Sequence, residues 1–253
     1  MLLDGRNAII WGGGGAIGGA VARAFAREGA RVHLCGRTQT ALDAVADDIR
    51  ASGGLAETAV VDALDEAQVT AHVQQVARDF GSVDVAFDLI SVGDVQGTPM
   101  VEMALADYEQ PIVTAVRSFF ITSKAVARPM MAQGRGVILT FGGDGGRDPI
   151  RHYSIGGFQV ALQAVDAMRR QLAAELGEHG IRVATIHTGG VLETLPRDFP
   201  GREVIAEMIV GPTMLGRAAT LGDVGDVAVF LASDKAATIT AAAINITAGA
   251  VAD

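Results

Sequence analysis

The sequence predicts an α/β protein: one doubly wound parallel sheet of about seven strands in a single domain of 253 residues. Short continuous apolar runs alternate with longer amphipathic segments, as is typical of parallel strands covered by helices on both faces. A glycine-rich turn joins the first apolar run to the first amphipathic segment. No proline-rich, serine-rich or highly charged stretch divides the chain, so we expect one domain over residues 1–253.

The elements follow in order from this alternation. Strands are predicted at residues 7–11, 31–36, 57–61, 83–90, 137–141, 181–187 and 243–247. Helices are predicted at residues 17–28, 40–51, 66–80, 103–132, 158–178 and 224–232. Residues 189–217 lack clear periodicity, and we expect them to cover a ligand crevice at the carboxyl ends of the strands.

Composition narrows the classes of function. The formal net charge is −9 and the basic residues are scattered, which argues against nucleic acid or an anionic membrane as a partner. No apolar stretch approaches the roughly 20 residues of a membrane span, and residues 1–6 do not resemble a signal peptide. The single cysteine, Cys35, is interpreted as a small buried apolar residue rather than a nucleophile. Because one cysteine cannot form a disulfide within the chain, a reducing compartment is indicated, and we expect a cytoplasmic protein. No cluster has metal-ligand spacing, and we predict no metal site.

The glycine turn carries the strongest functional signal. Gly13, Gly15 and Gly18 satisfy the G-x-G-x-x-G pattern between a predicted strand and a predicted helix. Absent side chains permit a tight turn and close approach of a pyrophosphate, whose charge meets the free N–H groups of the helix N-terminus. We therefore predict a dinucleotide site, to which Gly12 and Ile17 also contribute.

The end of the second strand indicates which dinucleotide binds. An acidic residue about 20 positions after the glycines would bind the adenosine ribose of NAD. Gly36 stands there instead, followed by Arg37 and Thr38. Because glycine leaves room for a 2′-phosphate and a guanidinium can pair with it, NADP(H) is favoured over NAD(H). The alternative is that Arg37 is only a solvated surface charge.

Together these residues resemble the short-chain dehydrogenase/reductase family over nearly the whole chain. The similarity includes the glycine turn, the Gly36-Arg37 pair, Val61-Asp62 after the third strand and Leu215-Gly216-Arg217. The resemblance implies a Rossmann-type sheet, a small-molecule substrate and a homotetramer or homodimer. It also implies that Asp62, with Ala63 beside it, lies near the adenine ring.

The catalytic residues depart from that family's pattern. The family uses an asparagine, a serine, a tyrosine and a lysine four residues after the tyrosine, so that the lysine lowers the tyrosine pKa. Tyr153 is the predicted tyrosine, which puts Gly157 at the lysine position. Gly142-Gly143 stands where serine is expected, and Ala115 where asparagine is expected. No lysine occurs between Lys124 and Lys235, so a shift of register cannot restore the pair. The two glycines at 156 and 157 are interpreted as making space for substrate or cofactor.

Substitute proton donors are Asp144, in the turn after the fifth strand, and His152, beside Tyr153. An ordinary turn aspartate and a surface histidine are the competing interpretations. His187 either lines the nicotinamide pocket or is a core histidine. The apolar stripe that begins at Phe158 and continues through Leu162 is interpreted as core or subunit interface rather than a cofactor site. Methionines near the predicted crevice suggest an apolar pocket: Met100, Met103 and Met214.

Three hypotheses of function stay open. The first, which we favour by fold analogy, is an NADP(H)-dependent oxidoreductase that acts on a carbonyl, activated alkene or imine of a small apolar substrate. The second is a catalytically inactive NADP(H)-binding sensor or partner subunit. The third is a non-redox isomerase or dehydratase that uses Asp144 or His152.

Overall fold

The computed structural model describes residues 1–143 and 153–252. Its strands are β1 (Asn7–Trp11), β2 (Arg31–Gly36), β3 (Leu55–Val60), β4 (Val85–Asp88), β5 (Gly136–Gly143), β6 (Ile181–Thr188) and β7 (Ala243–Asn245). Its helices are α1 (Ala16–Arg27), α2 (Gln39–Ala51), α3 (Glu66–Phe80), α4 (Leu105–Gln133), α5 (Phe158–Leu176), α6 (Arg202–Val210) and α7 (Leu221–Ala232). Short 3₁₀ turns lie at Gly177–His179, Leu192–Thr194 and Asp234–Ala236.

The described strands form one parallel sheet in the order β3-β2-β1-β4-β5-β6-β7. The order reverses between β1 and β4, which is the switch point where ligands enter such sheets. The predicted doubly wound, seven-stranded, single-domain Rossmann-type fold is therefore confirmed.

Two apolar layers cover the sheet, one on each face. Along β1, Ala8 and Ile10 pack with residues of α1, α2 and α7, whereas Ile9 and Trp11 pack with residues of α3, α4 and α5. Because successive side chains of a strand point to opposite faces, a continuous apolar run such as β1 serves both layers. The site described below thus receives α1 from one layer and α4 and α5 from the other.

The helix starts differ in how their free N–H groups are satisfied. The Asp65 carboxylate accepts hydrogen bonds from the N–H groups of Ala67 and Gln68 at the start of α3. Thr220 and Asp223 form a reciprocal capping box at the start of α7. α1 begins after Gly15 with no side-chain cap and no acidic residue in its first turn. The first N–H groups of α1 therefore remain free for a ligand.

Two predictions about elements were wrong. The segment 189–217 contains α6, which the sequence analysis missed because none of the residues of this helix is buried and no apolar stripe marks it. β4 spans four residues rather than the eight predicted: it begins at Val85 instead of residue 83, and the residues after Asp88 leave the ladder and line the site. Among the described residues, no helix is long and apolar enough to cross a membrane.

Candidate active site

A cavity of about 630 Å³ opens at the carboxyl ends of β1, β4, β5 and β6. Its size is within the usual range for small-molecule and cofactor sites. One side is the glycine turn with the start of α1, and another is the segment that follows β4. The remaining walls come from α4, α5 and the loop after β6. The cavity therefore lies at the switch point of the sheet, where the sequence predicted a ligand.

The glycine turn is built by backbone contacts that leave no room for a side chain at Gly12 or Gly18. The N–H groups of Gly12 and Gly13 donate to the Cys35 carbonyl at 2.8 and 3.0 Å, which ties the turn to β2. Gly12 has φ +84°, and a Cβ there would overlap the Leu89 carbonyl. A Cβ at Gly18 would overlap the carbonyl oxygen of Gly12. The close approach of α1 to the turn thus requires glycine at these positions.

This turn fits the pyrophosphate of a dinucleotide. Gly12, Gly15, Ile17 and Gly18 line the cavity, as predicted for cofactor-binding residues. Gly13 is buried behind the turn against Leu34 and does not line the cavity. With no protein cap on α1, its free N–H groups and its positive dipole end are available to an anion. The residues present therefore fit a bound dinucleotide.

The predicted adenosine-binding residues continue along the same edge of the sheet, beyond β1, and none of them lines the cavity itself. Arg37 and Thr38 are exposed after β2, and Thr38 precedes the first residue of α2. The Arg37 guanidinium forms no ion pair with any residue of 1–143 or 153–252. After β3, the Asp62 carboxylate accepts a hydrogen bond from the Leu64 N–H at 3.0 Å, and Ala63 is buried.

The predicted catalytic residues are only partly covered by the structure. Asp144 and His152 lie outside the described residues. Tyr153 is half-buried, lies five positions before the first residue of α5, and is not among the residues that line the cavity. Because Tyr153 and Gly157 both precede the first residue of α5, as the predicted helix of residues 158–178 implies, these two positions do not share a helical face.

The interpretation of the glycines before α5 was also wrong. Gly156 has φ +58°, and a Cβ there would lie 2.6 Å from the Met103 methyl carbon. A Cβ at Gly157 would overlap the backbone carbonyl of Tyr108 in α4. These glycines permit close packing of the start of α5 on the start of α4, rather than making space for substrate or cofactor.

α5 contributes mostly apolar side chains to the cavity wall, together with one amide: Gln159 lines the cavity, and its Oε1 atom is buried with no hydrogen-bond partner among the described residues. Phe158 and Leu162, one helical turn apart, both line the cavity together with Ala161 and Val165. Ala115 of α4 lines it as well. The apolar stripe of α5 was predicted to be core or interface. Ala161 and Val165 do belong to the core, but they line the cavity too, as Phe158 and Leu162 do, and this contact was not predicted. Periodicity showed that these residues share a face but not what the face contacts.

Asp88 is a buried acid in the cavity wall that the sequence analysis did not single out as a site residue. Its carboxylate accepts hydrogen bonds from the Ile90 N–H and from the Thr122 hydroxyl, both at 3.1 Å. Burial raises the pKa of Asp88 to about 6, although these hydrogen bonds act in the opposite direction. The Ser118 hydroxyl also faces this carboxylate. A carboxyl at the last residue of the strand next to β1 could have been identified from its position.

Other polar candidates lie away from the cavity. His187 is buried and its Nε2 lies 3.2 Å from the Asp166 carboxylate, so it is a paired core histidine rather than a residue of the pocket. Burial raises the pKa of the Cys35 thiol, which makes that residue an inert filler. Met100 and Met214 are largely exposed and, like Met103, do not line the cavity. Within 1–143 and 153–252 no cluster of His, Cys, Asp or Glu could hold a metal ion.

Comparison with known proteins agrees with this geometry. The family model described as enoyl-(acyl carrier protein) reductase matches residues 14–250. The D-threitol dehydrogenase of Mycolicibacterium smegmatis is 30% identical over 98% of this chain and 93% of its own. A 7α-hydroxysteroid dehydrogenase solved with NADH and a 7-oxo bile acid is 27% identical, with a TM-score of 0.84 over 99% of this chain and 96% of that one.

A gluconate 5-dehydrogenase from Burkholderia cenocepacia, solved with NADP and tartrate, shares the fold with a TM-score of 0.88 at 24% identity, over 98% of this chain and 96% of that one. Of these two structural neighbours, one was solved with NADP and the other with NADH. The matching family model, the curated relative and the cavity beside the glycine turn place this chain in the short-chain dehydrogenase/reductase family of oxidoreductases.

Proposed function

We propose that the protein is an NADP(H)-dependent oxidoreductase that acts on a carbonyl, activated alkene or imine of a small apolar substrate. The observation that carries this proposal is the uncapped start of α1 beside a glycine turn that opens into the cavity. Family membership supports hydride transfer as the class of reaction. We expect a homotetramer or homodimer in the cytoplasm, as the family resemblance implies.

The end of β2 supports NADP(H) rather than NAD(H). Gly36 has no side chain, and its Cβ position faces Leu42 of α2 at 3.4 Å rather than an acidic group. Arg37 is exposed and without an ion-pair partner in the described chain. Its guanidinium is therefore available to pair with a 2′-phosphate, which NADP(H) carries and NAD(H) does not.

The chain's own residues have to bind the cofactor, hold the substrate and move a proton. A bound nicotinamide supplies or accepts the hydride. Gly12, Gly15 and Gly18 position the pyrophosphate at the start of α1. Reduction of a carbonyl also requires a proton at the substrate oxygen, and neither Phe158 nor Leu162 can donate one.

Tyr153, His152 and Asp144 remain the proposed proton donors. They belong to the stretch between β5 and α5, and residues on both sides of it, Gly143 and Ile155, line the cavity. We further propose that residues 189–217 cover the bound substrate. In this segment Ile209 of α6 packs on Gly190, and the Arg202 guanidinium donates to the Leu192 carbonyl at 3.0 Å.

The test of cofactor selectivity is the variant Arg37→Ala. We expect it to weaken NADPH binding at least tenfold, because the phosphate loses a charge-assisted partner, and to change NADH binding less than twofold. The measurement is a titration that follows cofactor fluorescence. Arg78→Ala is the matched control, since Arg78 is an exposed arginine at the end of α3. Equal losses in the two variants, or equal losses for both cofactors, would contradict the assignment.

A second candidate function follows from Phe158 and Leu162, the two large apolar side chains that α5 places in the cavity wall. A protein that binds NADP(H) without turnover, as a sensor or partner subunit, needs no proton donor at Phe158 or Leu162. NADPH that binds but stays unoxidised with a broad set of carbonyl compounds would favour this function. A non-redox isomerase or dehydratase that uses Asp144 or His152 would instead convert its substrate with no change in cofactor absorbance.

A further inference from the structure

One polar side chain lies among the apolar side chains that α5 directs into the cavity. Phe158, Gln159 and Leu162 all line it, and Leu162 follows each of the other two by one helical turn. These three side chains therefore share the face of α5 that meets the cavity. Gln159 is the member of this face that can form hydrogen bonds through its side chain.

The Gln159 amide lacks the partner that a buried polar group requires. Its Oε1 atom is buried and has no hydrogen-bond partner among residues 1–143 and 153–252. Five other described residues have a buried side-chain atom without such a partner, and none of them lines the cavity: Trp11, His72, Arg169, Thr185 and Arg202. In the described chain, Gln159 is thus the place where an unsatisfied polar atom and the ligand cavity coincide.

Two other polar groups of the cavity wall have partners within the protein. The Thr194 hydroxyl donates to the Val191 carbonyl at 2.7 Å. The Asp88 carboxylate accepts from the Thr122 hydroxyl at 3.1 Å. A buried acceptor without a partner costs free energy that an apolar side chain at the same position would not. Packing alone therefore does not account for glutamine at position 159, whereas a ligand with a hydrogen-bonding group does.

The chemistry of an amide limits what this ligand group can be. Oε1 accepts hydrogen bonds, Nε2 donates them, and a half turn about the last side-chain bond exchanges their positions. A hydroxyl group both donates and accepts, so it can pair with either end of the amide. A carboxylate only accepts, and the described wall contains Asp88 and Asp94 but no lysine, arginine or histidine to balance its charge. An ammonium group only donates and can pair with Oε1 alone.

We propose that Gln159 binds a hydroxyl group of the substrate, at a point away from the carbonyl carbon that takes the hydride. The substrate is then a hydroxylated ketone or aldehyde or, in the reverse direction, an alcohol with a second hydroxyl group. This inference rests on the proposed function and adds one polar anchor to its otherwise apolar substrate. Gln159 orients the substrate through this contact and takes no part in proton transfer, because an amide does not titrate.

The first experiment compares ketones that differ in one group. 4-Hydroxy-4-methyl-2-pentanone is matched with 4,4-dimethyl-2-pentanone, and 4-hydroxy-4-methylcyclohexanone with 4,4-dimethylcyclohexanone. Each compound is titrated against the protein with saturating NADP⁺ and followed by ligand-observed NMR. No turnover occurs, because NADP⁺ cannot reduce a ketone and a tertiary alcohol cannot be oxidised to one. We expect the hydroxyl compound of at least one pair to bind at least fivefold more tightly than its methyl analogue.

The second experiment removes the amide. Gln159→Met keeps the length of the side chain and is expected to weaken binding of the preferred hydroxyl compound at least fivefold, while binding of its methyl analogue changes less than twofold. Gln163→Met is the matched control, because Gln163 lies one turn later on α5, is exposed and does not line the cavity. The control is expected to change the binding of either compound less than twofold.

Urea unfolding without ligand gives a readout that separates substrate binding from a structural role. Gln159→Met should be at least as stable as the native protein, since it replaces an unpaired buried polar group with an apolar one. A glutamine that served the fold would instead be missed, and the variant would unfold at lower urea. If Gln159→Met fails to fold, Gln159→Leu replaces it with the same expectations, and failure of both variants to fold would contradict the proposal.

Four results of the binding measurements would overturn the inference. They are methyl analogues that bind as tightly as the hydroxyl compounds in both pairs, equal effects of the two methionine variants, tighter binding of 4-amino-4-methyl-2-pentanone than of its hydroxyl counterpart, and weaker NADPH binding by Gln159→Met, which would assign the amide to the cofactor. A preference for the hydroxyl compounds in a protein that binds no NADP(H) would contradict the proposed function while supporting the role of Gln159.

Discussion

Tyr153 is the one proposed proton donor that lies among the described residues. It is half-buried at the end of the stretch between β5 and α5, next to Ile155 and Phe158, which line the cavity. The residues of α5 that line the cavity include no titratable group, so delivery of a proton depends on residues before that helix. Substitution at Tyr153 is the way to test this dependence.

Tyr153→Phe removes the phenol hydroxyl and keeps the ring. If this hydroxyl delivers the proton, turnover should fall at least about tenfold, since positioned general acids contribute about 10²–10⁴-fold. The measurement is the rate of NADPH oxidation with the fastest carbonyl acceptor found. The chain has one other tyrosine, and Tyr108→Phe in α4 is therefore the natural control. An unchanged rate in Tyr153→Phe would eliminate this residue and make His152→Ala the next variant to measure.

The raised pKa of Asp88 predicts how the free energy of unfolding depends on pH. Its pKa is raised from 3.8 to about 6 in the folded protein. Below about pH 4 the carboxyl is protonated in both states, whereas above about pH 6 the folded protein holds a buried carboxylate. The free energy of unfolding should therefore fall as pH rises through this window, by up to about 3 kcal/mol from this group alone.

Asp88→Asn should remove this contribution. The amide oxygen can still accept from the Ile90 N–H, and the amide nitrogen can donate to the Thr122 hydroxyl. We expect the variant to be more stable than the native protein at pH 7.5 and the difference to shrink at pH 5. Urea unfolding at the two pH values measures this. A variant that is less stable at pH 7.5 would show that the ionised carboxylate stabilises the fold.

At the scale of elements, the junction between β1 and α1 depends on one contact between backbone groups. Gly18 in the first turn of α1 lies against the Gly12 carbonyl, and Cys35 of β2 holds the other side of the turn. Since the obstacle is backbone rather than a flexible side chain, a larger residue cannot be accommodated by a rotamer change. The same contact sets the direction of the free N–H groups toward the cavity.

Gly18→Ala should therefore disturb both stability and binding. We expect a loss of about 1–3 kcal/mol in the free energy of unfolding, as for overpacked sites, and at least tenfold weaker NADPH binding. Gly222→Ala is the matched control, because Gly222 also lies in the first turn of a helix, α7, does not line the cavity, and its Cβ would meet nothing closer than the Thr220 Oγ1 atom at 3.5 Å. Urea unfolding and NADPH titration of both variants provide the measurements. Equal behaviour of the two variants would contradict the role given to the Gly12–Gly18 contact.

Helix periodicity predicted the first residue of α5 correctly but not what its face contacts. The start at Phe158 follows from the apolar spacing, and the structure agrees. The positive φ of Gly156 and the close approach of Gly157 to Tyr108 are tertiary features that no local pattern records. The packing of the start of α5 on α4 therefore could not be predicted from the sequence.

For the whole molecule, the sheet and the cofactor half of the site could be predicted because both depend on local signals. Alternating strands and helices with right-handed crossovers determine a parallel sheet, and the glycine turn marks its switch point. The substrate half could not be predicted, since it combines α4, α5 and the segments after β4 and β6, which are distant in sequence. The helix α6 was not predicted because it buries none of its residues, so its sequence shows no apolar stripe.

The glycine turn is proposed to hold NADP(H), and the protein carries its own probe for such binding. Its single tryptophan, Trp11, is the last residue of β1 and leads directly into Gly12. Tryptophan emission overlaps NADPH absorption, so a cofactor bound at the turn quenches Trp11 and gains sensitised emission. We predict saturable energy transfer to NADPH, with a dissociation constant at least tenfold lower than for NADH. No transfer to either cofactor, or tighter binding of NADH, would contradict the account.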